Sequence, residues 1–142
     1  MITVFNNYKK QKIDKSKIVS LVKFVLKGEK SLQKNINIVF VDDEYITQLN
    51  KQYLYHNWTT DVISFPLNDD KKIEGEIYIN IDQTRRQAKE YKVKISEELN
   101  RLLIHGTLHL IGYTDTTQRT KKKMSLLEDM YLGKCKNIYK LE

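Results

Sequence analysis

His105-Gly106-Thr107-Leu108-His109-Leu110-Ile111-Gly112-Tyr113-Thr114-Asp115 is the stretch on which the reading of this chain turns. It carries two of the three histidines, four residues apart. On a helix that spacing sets both imidazoles on one face, one turn apart, where they can point at one ion. Gly112 can take a backbone conformation that other residues resist, so the chain can leave the helix there and fold back to offer Asp115 as a third ligand. The pattern His-x-x-x-His-x-x-Gly-x-x-Asp has the outline of a three-ligand metal site with one position left for water, which is the catalytic arrangement. The plainer alternative is that the histidines are polar breaks in a buried helix, satisfied by backbone or water.

Outward from this stretch, Ser96, Glu97 and Glu98 open the histidine-bearing helix, with an acidic first turn as the helix dipole favours. Before it, Asp82 is expected to cap a helix over about 83–91. Residues 75–81 alternate with period two and predict a half-buried strand. Asp61 to Phe65 predicts another, stopped by Pro66, the only proline. Asn68 to Lys72 reads as a polar connection. Residues 53–60, with His56, Asn57 and Trp58, form an aromatic and polar loop of the kind that lines sites. Asp42 and Asp43 cap a helix to about Tyr53 with Ile46 and Leu49 inward, after a strand over 36–41. At the N-terminus, a strand over 2–5 precedes a helix from about Asp14 to Leu26, with Ile18, Leu21, Val22 and Val25 inward and Gly28 at its end; Lys23, Lys27, Lys30 and Lys34 follow a solvent line. A last helix is expected over about 117–131, with Met124, Leu127 and Met130 inward and Gly133 as its stop. The expected fold is α+β: a single domain spanning residues 1–142, with a mixed four-stranded sheet, about five helices, and the metal site on a helix of the C-terminal half and the turn after it.

The 142 residues carry a net charge of +7, unevenly spread. Residues 1–34 hold nine lysines against two acids, and 117–142 hold seven basic residues against three acids, while the middle is net acidic. Basic ends suit phosphate contacts with a nucleic acid, Lys121 and Lys122 among them; a solvated lysine-rich surface is the alternative. Cys135 is the only cysteine, which excludes an internal disulfide and a cysteine-based zinc site. No charged start leads into an apolar run, and no stretch of roughly eighteen apolar residues occurs, so the expectation is a cytoplasmic protein without membrane contact, monomeric by default.

Three segments, in order, resemble the YbeY endoribonuclease family of bacterial metal-dependent proteins: Thr60-Asp61-Val62-Ile63-Ser64-Phe65-Pro66, Gly75-Glu76-Ile77-Tyr78-Ile79, and His105 to Asp115. The resemblance implies a zinc-dependent endoribonuclease acting on single-stranded RNA, in maturation of the 3′ end of small-subunit ribosomal RNA and in ribosome quality control, with ribosomal RNA and the small subunit as partners. It makes His105, His109 and Asp115 the ligands of one ion. Two departures stand out. Asp115 occupies a position where the family usually has histidine; a carboxylate also binds zinc, and manganese or nickel becomes compatible. Leu54 stands where the family usually has an arginine associated with activity, so His56 is the candidate for a catalytic or phosphate-directed role. Trp58 is a candidate for stacking on a base, and Asp61 and Ser64 for lining the cleft.

Two other functions share these features. A metallopeptidase has the same ligand spacing, but its general base follows the first histidine, where this chain has Gly106. A ribosome-associated factor could bind RNA through the basic ends and use its metal only to lock the last helices, a reading that Leu54 favours.

Overall fold

A computed structural model of the protein describes residues 1–31, 35–67 and 74–138; the polar connection expected at 68–72 and Lys34 lie outside them. The elements run β1 (Ile2–Asn6), α1 (Lys15–Gly28), β2 (Ile36–Val41), α2 (Asp43–Leu54), β3 (Val62–Pro66), β4 (Gly75–Asn80), α3 (Ile81–Tyr91), α4 (Ile95–Leu110) and α5 (Gln118–Ile138). This is the expected α+β order. The sheet is mixed, in the order β1-β2-β4-β3, with β1, β2 and β4 parallel and β3 antiparallel on the outer side of β4.

β2 lies between two parallel neighbours, and five of its six residues are buried, as a strand covered on both faces requires. One face packs against α1, α4 and α5 around Ile38, Phe40, Ile77, Ile79, Leu103, Ile104 and Leu108, all fully buried. The other face is smaller: α2 covers Val39, Val41 and Ile63 with Ile46 and Leu49. β4 therefore divides its side chains between two layers, Ile77 and Ile79 to the first and Tyr78 to the second. Pro66 is the last residue of β3, paired with Gly75, and not the stop beyond it. An edge strand accommodates proline because one side of its ladder is free.

Asp42 caps α2 as expected through the N–H of Tyr45, and Asp14, read as the first residue of α1, is its cap, the carboxylate accepting from the N–H of Ser16 and Lys17. Other expectations fail. Asn80, not Asp82, caps α3 through the N–H of Gln83. Asp82 is drawn into tertiary contacts, accepting from the Tyr8 hydroxyl at 2.6 Å and the Asp43 N–H at 3.0 Å. α4 begins at Ile95 after Lys94, with no side-chain cap, so Ser96 already lies inside the helix. α5 runs through Gly133, around which a methyl group would meet nothing within 4 Å. An exposed glycine weakens a helix only modestly, and α5 continues past it. Met130 is 39% exposed; the inward line of α5 is Met124, Glu128, Tyr131 and Cys135. Gly28 ends α1, but the left-handed turn falls on Lys30 (φ 58°), and the glycine makes room for the Tyr131 ring, which a side chain at 28 would strike. No described helix is long and apolar enough to cross a membrane.

Candidate metal centre and substrate groove

The last two turns of α4 carry the histidines. Their helix is seated by Gly106, where a Cβ would come within 2.9 Å of the Ile77 side chain and 3.2 Å of Ser64 Oγ. Ser64 donates to the Gly106 carbonyl at 3.0 Å, fastening β3 to the helix. The residue after His105 is thus pressed against the sheet, which leaves no room for the glutamate a peptidase would carry there.

α4 ends in a Schellman closure. The N–H of Tyr113 donates to Leu108 O at 3.1 Å and that of Gly112 to His109 O at 3.1 Å, with Gly112 at φ 109°, a conformation strained for any other residue. The reversal does two things. It aims the Tyr113 carbonyl at His109 Nδ1, 3.0 Å away, and it returns Asp115 to the histidines, with Oδ2 at 3.5 Å from Nε2 of both His105 and His109.

Each imidazole is fixed by its outer nitrogen. His105 Nδ1 lies 2.6 Å from Glu128 Oε2 on α5. A carboxylate and a carbonyl only accept, so both Nδ1 atoms carry the proton and both Nε2 atoms turn a lone pair inward. The two Nε2 atoms are 3.0 Å apart, and the three donor atoms all lie within 4.8 Å of one another. Lone pairs at that distance repel, and a shared cation relieves them. Two imidazoles and a carboxylate are a donor set suited to zinc and other first-row divalent ions. The surroundings favour positive charge as well: burial disfavours the imidazolium of His105, but the Glu128, Asp115 and Asp61 carboxylates outweigh it and raise its pKa above the ordinary 6.5. Arg101, one turn before His105, sits between Glu128 and a further acid, Glu98, with Nε 3.2 Å from Glu98 and Nη1 4.0 Å from Glu128.

The triad opens into a groove of about 610 Å³ between β3, the loop after α2 and the turn after α4. His56, Trp58, Asp61 and Ser64 all line it, and so does Leu54. The His56 and Trp58 rings stack, with centroids 4.4 Å apart, and Trp58 is 59% exposed. Asp61 accepts from the Val62 N–H at 2.7 Å, and Ser64 is engaged by Gly106. Lys121 and Lys122 are exposed on the first turns of α5 and do not line this groove. Lys123 is the lysine that reaches back, its Nζ 5.5 Å from the centre of the Tyr113 ring. Sequence reasoning missed Glu128, Arg101 and the Tyr113 carbonyl. The one available signal was an acid four residues after Met124 on the face that α5 turns inward.

A family model described as Endoribonuclease YbeY matches residues 3–136. Relatives named Endoribonuclease YbeY include that of Chloroherpeton thalassium, 39% identical over 133 residues covering 94% of each chain, and that of Karelsulcia muelleri, 40% identical over 116 residues covering 82% of each. Among solved structures, the solution structure of a Thermotoga maritima protein aligns with a TM-score of 0.70 at 24% identity, covering 99% of this chain and 92% of that one, a likeness of fold.

Proposed function

The chain belongs to the endoribonuclease YbeY family, and from that premise we propose that it is a zinc-dependent endoribonuclease of the cytoplasm that hydrolyses single-stranded RNA. Its place is in maturation of the 3′ end of small-subunit ribosomal RNA and in ribosome quality control, with the small subunit as partner. The observation that carries this reading is the inward convergence of His105 Nε2, His109 Nε2 and Asp115 Oδ2 at the end of an open groove. Manganese or nickel would suit the same donors.

When bound, the ion supplies Lewis acidity and an activated water at neutral pH. The protein's own part is orientation. Glu128 and the Tyr113 carbonyl hold both imidazoles in the ligating tautomer, and the Schellman turn holds Asp115 against them. Trp58, stacked with His56 in the groove lining, would offer a ring face to an unpaired base, and His56 would contact a phosphate beside it. Leu54 supplies no cation to that groove, so this contact falls to His56, with Lys123 beside the turn.

Leu54 also favours a second reading, an RNA-binding factor whose metal only fastens the last helices. One experiment separates them: zinc-loaded protein is incubated with end-labelled single-stranded RNA, beside His109→Ala prepared in the same way. The endoribonuclease reading expects cleavage by the wild type and none by the variant. Salt-sensitive binding without turnover supports the factor, and equal cleavage by both proteins sinks the assignment.

A further inference from the structure

The face of the sheet away from α4 is only half covered. Beyond α2 lies a second groove of about 450 Å³, in which four rings form a continuous series. Tyr45 stacks on Tyr78 (6.2 Å between centroids, 21° between planes), Tyr78 meets Phe65 edge to face at 5.9 Å, and Phe65 meets Tyr53 at 5.8 Å. Tyr45 is 46% and Tyr53 56% exposed, so much of this aromatic surface faces solvent.

We propose that this four-ring groove holds unpaired bases of the same RNA strand that enters the metal groove, as an extended substrate subsite. The proposal rests on the endoribonuclease reading. Continuity is its first support: Pro66 lines both grooves, and the last turns of α2 give Leu49 and Tyr53 to one and Asn50 and Leu54 to the other. Chemistry is the second. Tyrosine hydroxyls and the amides of Gln48 and Gln52 edge the rings, which suits nucleobases, with their flat faces and hydrogen-bonding rims, better than an aliphatic ligand. Among the described residues of the lining the one charged side chain is Glu76, whose carboxylate repels phosphates and leaves the groove to bases. Phe65 and Tyr78 stand on adjacent strands of an open sheet face, an arrangement on which single-stranded RNA stacks two or three bases.

The test compares steady-state cleavage of single-stranded RNAs of about 12 and about 4 nucleotides by zinc-loaded wild type, Tyr53→Ala and Tyr53→Phe, with thermal melts to verify folding. Each stacked base contributes roughly ten-fold or more in affinity. Tyr53→Ala is therefore expected to raise KM for the long RNA by about ten-fold with kcat unchanged, to leave the short RNA unaffected, and to be rescued by Tyr53→Phe. An unchanged KM on the long RNA, or an equal shift on both lengths, overturns the subsite. Loss of self-association in Tyr53→Ala at unchanged KM assigns the groove to a second copy of the chain and overturns it too. If the wild type cleaves neither RNA, the endoribonuclease reading itself fails.

Discussion

Glu128 decides what the His105 nitrogens can do. Its carboxylate accepts the hydrogen bond from Nδ1 at 2.6 Å, leaves the Nε2 lone pair free to ligate, and adds negative charge behind the candidate ligand. Partners of this kind are commonly worth 10–100-fold in metal affinity. Glu128→Gln keeps an acceptor but removes the charge, and zinc affinity measured by competition with a chelator is expected to fall by roughly ten-fold or more, with the fold retained. At this scale the triad was legible because it is local: His105, His109, Gly112 and Asp115 sit within one turn and its reversal, and their spacing carries the geometry. Glu128 was not. Hydropathy points an acid outward and a methionine inward, so Met130 was expected where Glu128 and Tyr131 stand. Only the docking of α5 on α4 reveals that this acid has a partner. Lys121 and Lys122 stand outside the groove lining because charge alone cannot say which lysine of a run faces it.

At the scale of elements, the positions of strands and helices follow from periodicity, and their ends follow from competition for polar groups. Asp82 is a good cap by type, but Tyr8 and the Asp43 N–H claim its carboxylate, and Asn80 caps α3 instead. Asn80 also donates to Asp43 at 2.7 Å and to the Thr60 carbonyl at 3.1 Å, tying β4 to α2 and to the entry of β3. Arg86 of α3 completes this junction with two bonds to Asp43. Its guanidinium, assisted by the Asn80 amide and Thr59 hydroxyl, outweighs desolvation and holds the Asp43 carboxyl below its ordinary value of 3.8. A lowered folded-state pKa gives stability that is present above the unfolded value and lost as pH falls through the folded one. Asp43→Asn is therefore expected to unfold at lower urea than the wild type at pH 7, and the gap is expected to close as pH drops below about 3.8. A gap that is constant with pH would show that charge at Asp43 does not hold the junction. The strand order was beyond the sequence, since β2 meets β4 through pairings that no local pattern encodes.

At the scale of the whole molecule, the metal centre is where distant parts of the chain meet. α4 supplies the histidines, the turn supplies Asp115, and α5 supplies Glu128. The Tyr113 and Tyr131 hydroxyls both donate to Glu29 just after α1, so the turn and the last helix are tied to the first. The Phe24 and Tyr131 rings meet edge to face at 6.0 Å, which brings the two lysine-rich ends of the chain together beside the acidic middle. An ion at the triad would fasten the end of α4 to the turn after it and, through the Glu128 contact to His105, to α5, and its binding energy would add to that of folding. Elemental analysis of the purified protein beside His105→Ala, both dialysed against the same trace zinc, tests this account most directly. One equivalent of zinc per wild-type chain and none in a folded variant is the predicted result; no metal in either protein, or one equivalent in both, would contradict it.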